Sequence, residues 1–214
     1  MSFPLRLGHR GARAFRNIPE NTLASFELCL QHGCDGFEFD VRRSSDGRAV
    51  VCHDATVGGM EIEKTVAKSL PLAALDDVLR QFASRAFVDI ELKVAGLEAL
   101  TLGSLLKYPP AEGFVISSFL PEVLASIHQL DPAIPVGFVC ESKKQLGRWR
   151  QTPATWVIPH WKLADKELVE MVHAAGKKIM LWTVNRADRM LRFQAWGVDA
   201  IISDQTELLA RSLA

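Results

Sequence analysis

Two histidines, three carboxylates and two basic side chains stand at the ends of apolar runs. They are His9 and Arg10 in Gly8-His9-Arg10-Gly11, Glu38 and Asp40 in Phe37-Glu38-Phe39-Asp40-Val41, His53 after Val50-Val51-Cys52, and Glu91 and Lys93 in Ile90-Glu91-Leu92-Lys93. Together these side chains suit a divalent-cation site for cleaving a phosphate ester. The carboxylates would hold the cation, and the basic groups would neutralise phosphate oxygens.

The alternation is what carries this reading. On an extended backbone Phe37, Phe39 and Val41 share one face, and Glu38, Asp40 and Arg42 share the other. Val88, Ile90 and Leu92 alternate in the same way with Asp89, Glu91 and Lys93. Unpaired carboxylates on an inward face cost on the order of several kcal/mol each, unless a cation or Arg and Lys partners neutralise them. A purely salt-bridged layer is therefore the competing expectation for the same residues. Oxygen-rich ligands favour Mg or Ca, and His9 and His53 nearby leave room for Mn or Zn as second choices. Lys93 offers a point charge to phosphate and Arg10 a two-pronged contact. Asp89 lies deeper and is expected to be structural, as the partner of a core basic group.

Secondary candidates follow other strand ends. Asp54 is placed to face the cation or to orient a histidine. Trp182, in Met180 to Asn185, is either core or an apolar wall for the alcohol portion of a substrate. Ser118, Phe119, His160 and Asp204 complete the rim. His32, His128 and His173 are assigned to surface or packing. Cys52 and His53 fall on opposite faces of their strand, which argues against a thiol nucleophile.

The elements that must position these residues alternate from end to end. Strands are expected at 6–8, 36–42, 49–52, 86–93, 113–118, 136–139, 155–159, 178–183 and 200–203. Helices are expected at 22–32, 71–82, 97–107, 121–129, 142–149, 165–174, 186–195 and 206–213. Asn21 and Asp165 are the expected N-caps of their helices, Gly33 and Gly176 the terminators, and Pro71 a first-turn residue. The stretch from Gly58 to Ser69 reads as an excursion. If 49–52 extends the second unit there are eight βα units, which predicts a (β/α)8 barrel with a reduced insertion after that unit. A doubly wound open sheet is the alternative. Its Gly-x-Gly-x-x-Gly loop is missing after the first strand.

At 214 residues, 48% hydrophobic and 23% charged, the chain is expected to form one domain over 1–214. Lys+Arg and Asp+Glu are both 25, so nothing steers the protein toward nucleic acid or an anionic membrane. The first residues lack the pattern of a signal peptide, and no run is long enough to span a bilayer. Cys29, Cys34, Cys52 and Cys140 have no paired spacing and are expected to be reduced thiols of a cytoplasmic protein, monomeric or homodimeric.

With these residues in hand, the chain resembles the glycerophosphodiester phosphodiesterase family. Matching stretches are Gly8-His9-Arg10-Gly11, Pro19-Glu20-Asn21-Thr22, Phe37 to Val41, Asp46-Gly47, His53-Asp54, Ile90 to Lys93, Ser117-Ser118-Phe119, Leu181 to Asn185 and Val198 to Asp204. The resemblance implies a (β/α)8 barrel that hydrolyses deacylated phospholipids such as glycerophosphocholine to glycerol 3-phosphate and an alcohol. It implies that Glu38, Asp40 and Glu91 hold the cation, usually Mg or Ca. His9 and His53 would be the acid–base pair, and Arg10 and Lys93 would contact phosphate. Two departures bear on substrate choice. The Arg-Thr-Thr-like stretch and longer insertion after the His-Asp pair are replaced by Ala55 to Met60 and a compact segment. The usual Thr-Asp-x-Pro reads Ser203-Asp204-Gln205-Thr206. A lyase releasing a cyclic phosphate from lysophospholipid-like substrates and a non-catalytic ligand-binding barrel are the competing functions.

Overall fold

The computed structural model describes residues 3–213. Its strands are β1 (Leu5–His9), β2 (Gly36–Arg43), β3 (Ala49–Val51), β4 (Thr56–Val57), β5 (Met60–Glu61), β6 (Phe87–Leu92), β7 (Phe114–Ser118), β8 (Val136–Cys140), β9 (Trp156–Pro159), β10 (Lys178–Leu181) and β11 (Ala200–Ser203). Its helices are α1 (Leu23–Gln31), α2 (Leu75–Phe82), α3 (Glu98–Lys107), α4 (Pro121–Leu130), α5 (Lys143–Leu146), α6 (Lys166–Ala174), α7 (Ala187–Ala195) and α8 (Thr206–Ser212).

Eight parallel strands run β1-β11-β10-β9-β8-β7-β6-β2, and the β1–β2 pairing closes the ring. This is a closed (β/α)8 barrel. β3 is not a stave. It turns back antiparallel along the far end of β2, with Val41 opposite Val51, so it extends the second unit as expected. The excursion contains the small β4–β5 hairpin and two 3-10 turns, pinned by Val50, Ile62 and Leu70.

Strand alternation separates two apolar layers. The outward set packs under the helices: Phe26 of α1 stacks on Phe37 at 4.2 Å, and Phe82 of α2 meets Phe37 edge-on. The inward set, including Leu7, Phe87, Trp156, Met180 and Ala200, plugs the N-terminal end of the barrel. Toward the C-terminal mouth, β2 and β6 turn carboxylates inward where other strands turn Val139, Ile158 and Ile202. Glycine is required at two places on this frame. A Cβ on Gly36 would stand 1.9 Å from the Phe87 carbonyl, and one on Gly8 would stand 2.5 Å from both Cys29 Sγ and the Gly11 carbonyl.

Several local expectations are corrected. Thr22, not Asn21, caps α1 by accepting the Ser25 N–H at 3.2 Å. Asn21 instead takes a left-handed backbone with φ 57°. Pro71 lies four residues before α2, in a segment that hydrogen-bonds along β3 through the Ala73 carbonyl and the Val51 N–H at 2.9 Å. The helix expected at 142–149 is one turn, α5, followed by a 3-10 turn at Trp149–Gln151. Asp165 does cap α6, and Gly33 and Gly176 take the left-handed conformation after α1 and α6. Among the described residues no helix is long and apolar enough to cross a membrane.

Candidate active site

Pairing register fixes the acidic cluster. Asp40 lies opposite Glu91, Glu38 lies opposite Asp89, and His9 lies opposite Glu38. Partners in a parallel ladder point the same way, so these side chains converge on the interior at the mouth. One carboxylate oxygen each from Glu38, Asp40 and Glu91 lies within 4.8 Å of the others.

The salt-bridged alternative accounts for part of this cluster. Lys93 Nζ is 2.6 Å from Glu91 and 3.3 Å from Asp40, and Arg10 Nε is 3.2 Å from Asp40. Glu38 is different. Its Oε2 accepts the Arg10 backbone N–H at 2.9 Å, while its Oε1 is buried with no hydrogen-bond partner among the described residues. A buried carboxylate oxygen left bare is the position a cation would fill, and an all-oxygen donor set suits a hard divalent ion. Burial, with Asp40 and Glu91 adding repulsion, pushes the Glu38 carboxyl well above its ordinary range. Burial also raises Glu91, against the opposing charge of Lys93. Burial tends to lower the Lys93 ammonium, but Glu91 and Asp40 outweigh it and the net shift is upward.

The loop after β1 is held in a costly shape. Arg10 has φ 53°, which for a side chain of this size costs roughly 1–2 kcal/mol. The Asn21 N–H and the Ser25 hydroxyl both donate to the Arg10 carbonyl, and Glu20 pairs with its guanidinium at 2.7 Å. Asn21 goes on to join this loop to β2. Its Nδ2 donates to Asp40 at 2.8 Å and its Oδ1 accepts the Asp40 N–H at 3.3 Å. Asn21→Gly keeps the left-handed backbone accessible but removes both bonds. It is expected to weaken cation affinity roughly 10- to 100-fold, read by titrating activity against metal, with turnover at saturating metal less affected.

The histidines approach from two sides. His9 Nδ1 is 2.7 Å from Asp204 and its Nε2 is 4.0 Å from Glu38. Burial lowers the imidazole against the pull of Asp204, so His9 is neutral near pH 7. Asp204 also receives Asn185 Nδ2 at 2.6 Å and Arg13 at 3.3 Å. Burial raises its carboxyl, but the His9 and Asn185 hydrogen bonds and Arg13 outweigh burial and bring it down to about 2. Because this pKa is depressed, the stability it brings is present above the unfolded value near pH 4 and is lost as pH falls toward 2. Asp204→Asn should therefore flatten the acid limb of stability by about 2 kcal/mol, read from denaturant melts between pH 5 and 2.

His53 follows β3, and its Nδ1 is 2.8 Å from Asp54. Two bonds tie this segment to β2: Arg42 Nε donates to the His53 carbonyl at 2.8 Å, and the N–H of the preceding Cys52 donates to the Asp40 carbonyl at 3.0 Å. Asp54 is exposed and bonded to the histidine ring; it is not in the acidic cluster. Asp89 has no basic partner among the described residues, contrary to expectation. It accepts from the Ser117 hydroxyl at 2.6 Å, and burial pushes it up to about 8, keeping it a neutral acid at pH 7.

His9, Arg10, Glu38, His53, Glu91 and Lys93 line one side of a cavity of about 440 Å³, and Phe119, Trp182, Val139 and Ile158 line the other. Trp182 faces the cavity as a wall, with its Nε1 donating to the Ile158 carbonyl at 3.0 Å and its ring edge-on to Phe119. Ser118 does not reach the cavity. It is fully buried, donating to the Leu92 carbonyl, while its neighbour Ser117 points inward. His160 also stays outside, its ring against Trp161 and Trp182. The residue-level reading missed Asn21 and Asn185 as partners of site carboxylates, and Ser117 as lining, whereas Phe119 lines the cavity as expected. Strand parity alone would have chosen Ser117 over Ser118.

The sequence profile of the glycerophosphoryl diester phosphodiesterase family matches residues 9–103 and 98–208. The chain is 30% identical over 236 residues to a glycerophosphodiester phosphodiesterase of Caldanaerobacter subterraneus subsp. tengcongensis, covering 96% of each chain. It is 28% identical over 250 residues to one of Bacillus subtilis, covering 95% of this chain and 84% of the other. Among solved structures, a phosphodiesterase of Oleispira antarctica in complex with the product sn-glycerol-3-phosphate superposes with a TM-score of 0.85, at 27% identity over 98% of this chain and 96% of that one. By profile, identity and shared barrel, this chain belongs to the glycerophosphoryl diester phosphodiesterase family.

Proposed function

We propose that the chain hydrolyses glycerophosphodiesters to glycerol 3-phosphate and an alcohol, using a divalent cation, Mg or Ca, and a pair of histidines, all within one barrel domain. The observation that carries this reading is the convergence of Glu38, Asp40, Glu91, His9 and His53 at one mouth, with Glu38 Oε1 bare. The names of the relatives and the product bound in the Oleispira structure support the same substrate class.

A cation held by Glu38, Asp40 and Glu91 would supply charge neutralisation for the phosphate as negative charge builds on its oxygens. The remaining work falls to the chain's own side chains. Arg10 and Lys93 stand beside the carboxylates and present positive charge to the phosphate from the adjoining wall. His9, neutral and with Nδ1–H directed at Asp204, keeps the Nε2 lone pair free to take a proton from the attacking water. His53, with Nδ1 held by Asp54, offers a proton from Nε2 to the departing alcohol. Trp182 and Phe119 give the glycerol carbons an apolar wall.

The test is release of glycerol 3-phosphate from a panel of glycerophosphodiesters, with EDTA and metal add-back. Turnover abolished by EDTA and restored by Mg or Ca is expected. A cyclic phosphate accumulating as the final product in phosphorus NMR would replace hydrolysis with the lyase reaction.

A further inference from the structure

Beside the catalytic cavity lies a second hollow of about 500 Å³. It runs between the loop that starts α1, the end of β3 and the segment Pro71–Ala73. His53 lines both, so the groove adjoins the cavity at the side chain assigned to the departing alcohol. Leu23, Val51, Val57, Pro71 and Leu72 give it apolar walls, and Glu20, Asn21, Thr22 and Asp54 line the rest with polar groups.

These walls are braced from behind. Val57 and Leu72 pack on the Val50, Ile62 and Leu70 cluster, and Leu23 packs on the main core. The compact excursion after His53 therefore builds a fixed wall. The charged groups at the groove's inner end already have partners. Glu20 is paired with Arg10 and Arg13, and Asp54 is bonded to His53. Hydrocarbon entering the groove would exchange water for Leu, Val and Pro surface.

We propose that this groove binds the hydrocarbon part of the substrate's alcohol, so that the enzyme prefers glycerophosphodiesters whose leaving alcohol carries an alkyl chain. The inference rests on the hydrolase reading above and names the substrate class for the same site. The reaction is unchanged: water's oxygen bonds to phosphorus as the phosphorus–oxygen bond to the alkyl alcohol breaks. Water's proton passes to His9, and His53 protonates the leaving oxygen, giving glycerol 3-phosphate and a free alkanol.

The experiment is a homologous series of glycerophosphoalkanols from ethanol to octanol, with glycerophosphocholine as reference. Each methylene taken from water is worth about fourfold in affinity, so the octyl to ethyl ratio of kcat/KM should be roughly 100-fold or more. Val57→Asp and Leu72→Asp, on separate segments outside the barrel staves, should each bring that ratio close to one. Val57 sits on a two-residue strand of the excursion, so its replacement leaves the barrel core untouched. A flat series in the wild type, with glycerophosphocholine still hydrolysed, overturns the groove assignment and leaves the hydrolase reading standing. A steep series that survives both substitutions overturns it equally. Failure to turn over any diester overturns the hydrolase reading, and the groove assignment with it.

Discussion

His53→Ala is expected to lose roughly 100-fold or more in kcat on glycerophosphodiesters of aliphatic alcohols, and to recover most of that loss on a p-nitrophenyl diester. An acidic phenol departs without a donated proton, so removing the acid matters little for it. His9→Ala should lose comparably on both substrates, because the attacking water still needs a base. The assignment follows from the surroundings of the two rings. His9 is buried and neutral against Asp204, and His53 stands half-exposed where cavity and groove meet. Rescue of His9→Ala instead of His53→Ala by the phenol would exchange the two roles. Rescue of neither, with both variants folded, would remove proton donation to the alcohol from the mechanism.

The second large effect is at Glu38. Glu38→Gln should abolish turnover and, with it, the response of the melting temperature to cation. At a concentration about 100 times its Kd, a cation bound only by the native state adds about 2.7 kcal/mol. For a chain of this size that is a rise of roughly 5–10 °C in the wild type. Glu38→Gln should show none of that rise, but in EDTA at pH 7 it should melt above the wild type. The sign comes from the raised carboxyl: unfolding lets Glu38 ionise in water, which favours the unfolded chain increasingly as pH rises. The glutamine's advantage should therefore vanish below about pH 4, where Glu38 is protonated in both states. A cation-dependent melt retained in Glu38→Gln would move the ion elsewhere.

The barrel and the inward carboxylates were legible because both follow from alternation. Period-two polarity on β2 and β6 fixes which side chains enter the barrel, and parallel register then stacks Asp40 beside Glu91. What escaped reading depends on distance along the chain or on unusual backbone. Asp204 is the first partner of His9, yet 195 positions separate them, and no local pattern announces the contact. Asn21 looked like a helix cap because Asn commonly is one. The same side chain tolerates a left-handed backbone, and there it reaches Asp40 instead. Asp89 was expected to need a base. Its solution is to remain protonated against Ser117, an option that composition does not reveal. Pro71 misled for a simpler reason, since the apolar spacing from 71 onward is compatible with a helix until β3 claims the segment's backbone.

The antiparallel return of β3 along β2 has a consequence for how readily this scaffold can change its diet. His53 is fastened to the strand that carries Glu38 and Asp40 by the Arg42 and Cys52 bonds, independently of the excursion that follows it. The stretch from Ala55 to Leu72 is therefore expected to be exchangeable as a cassette, redrawing the neighbouring trough while His53 and the acidic cluster keep their mutual spacing. Chimaeras that swap only this cassette between relatives should transfer alcohol preference and leave the pH profile of hydrolysis where it was.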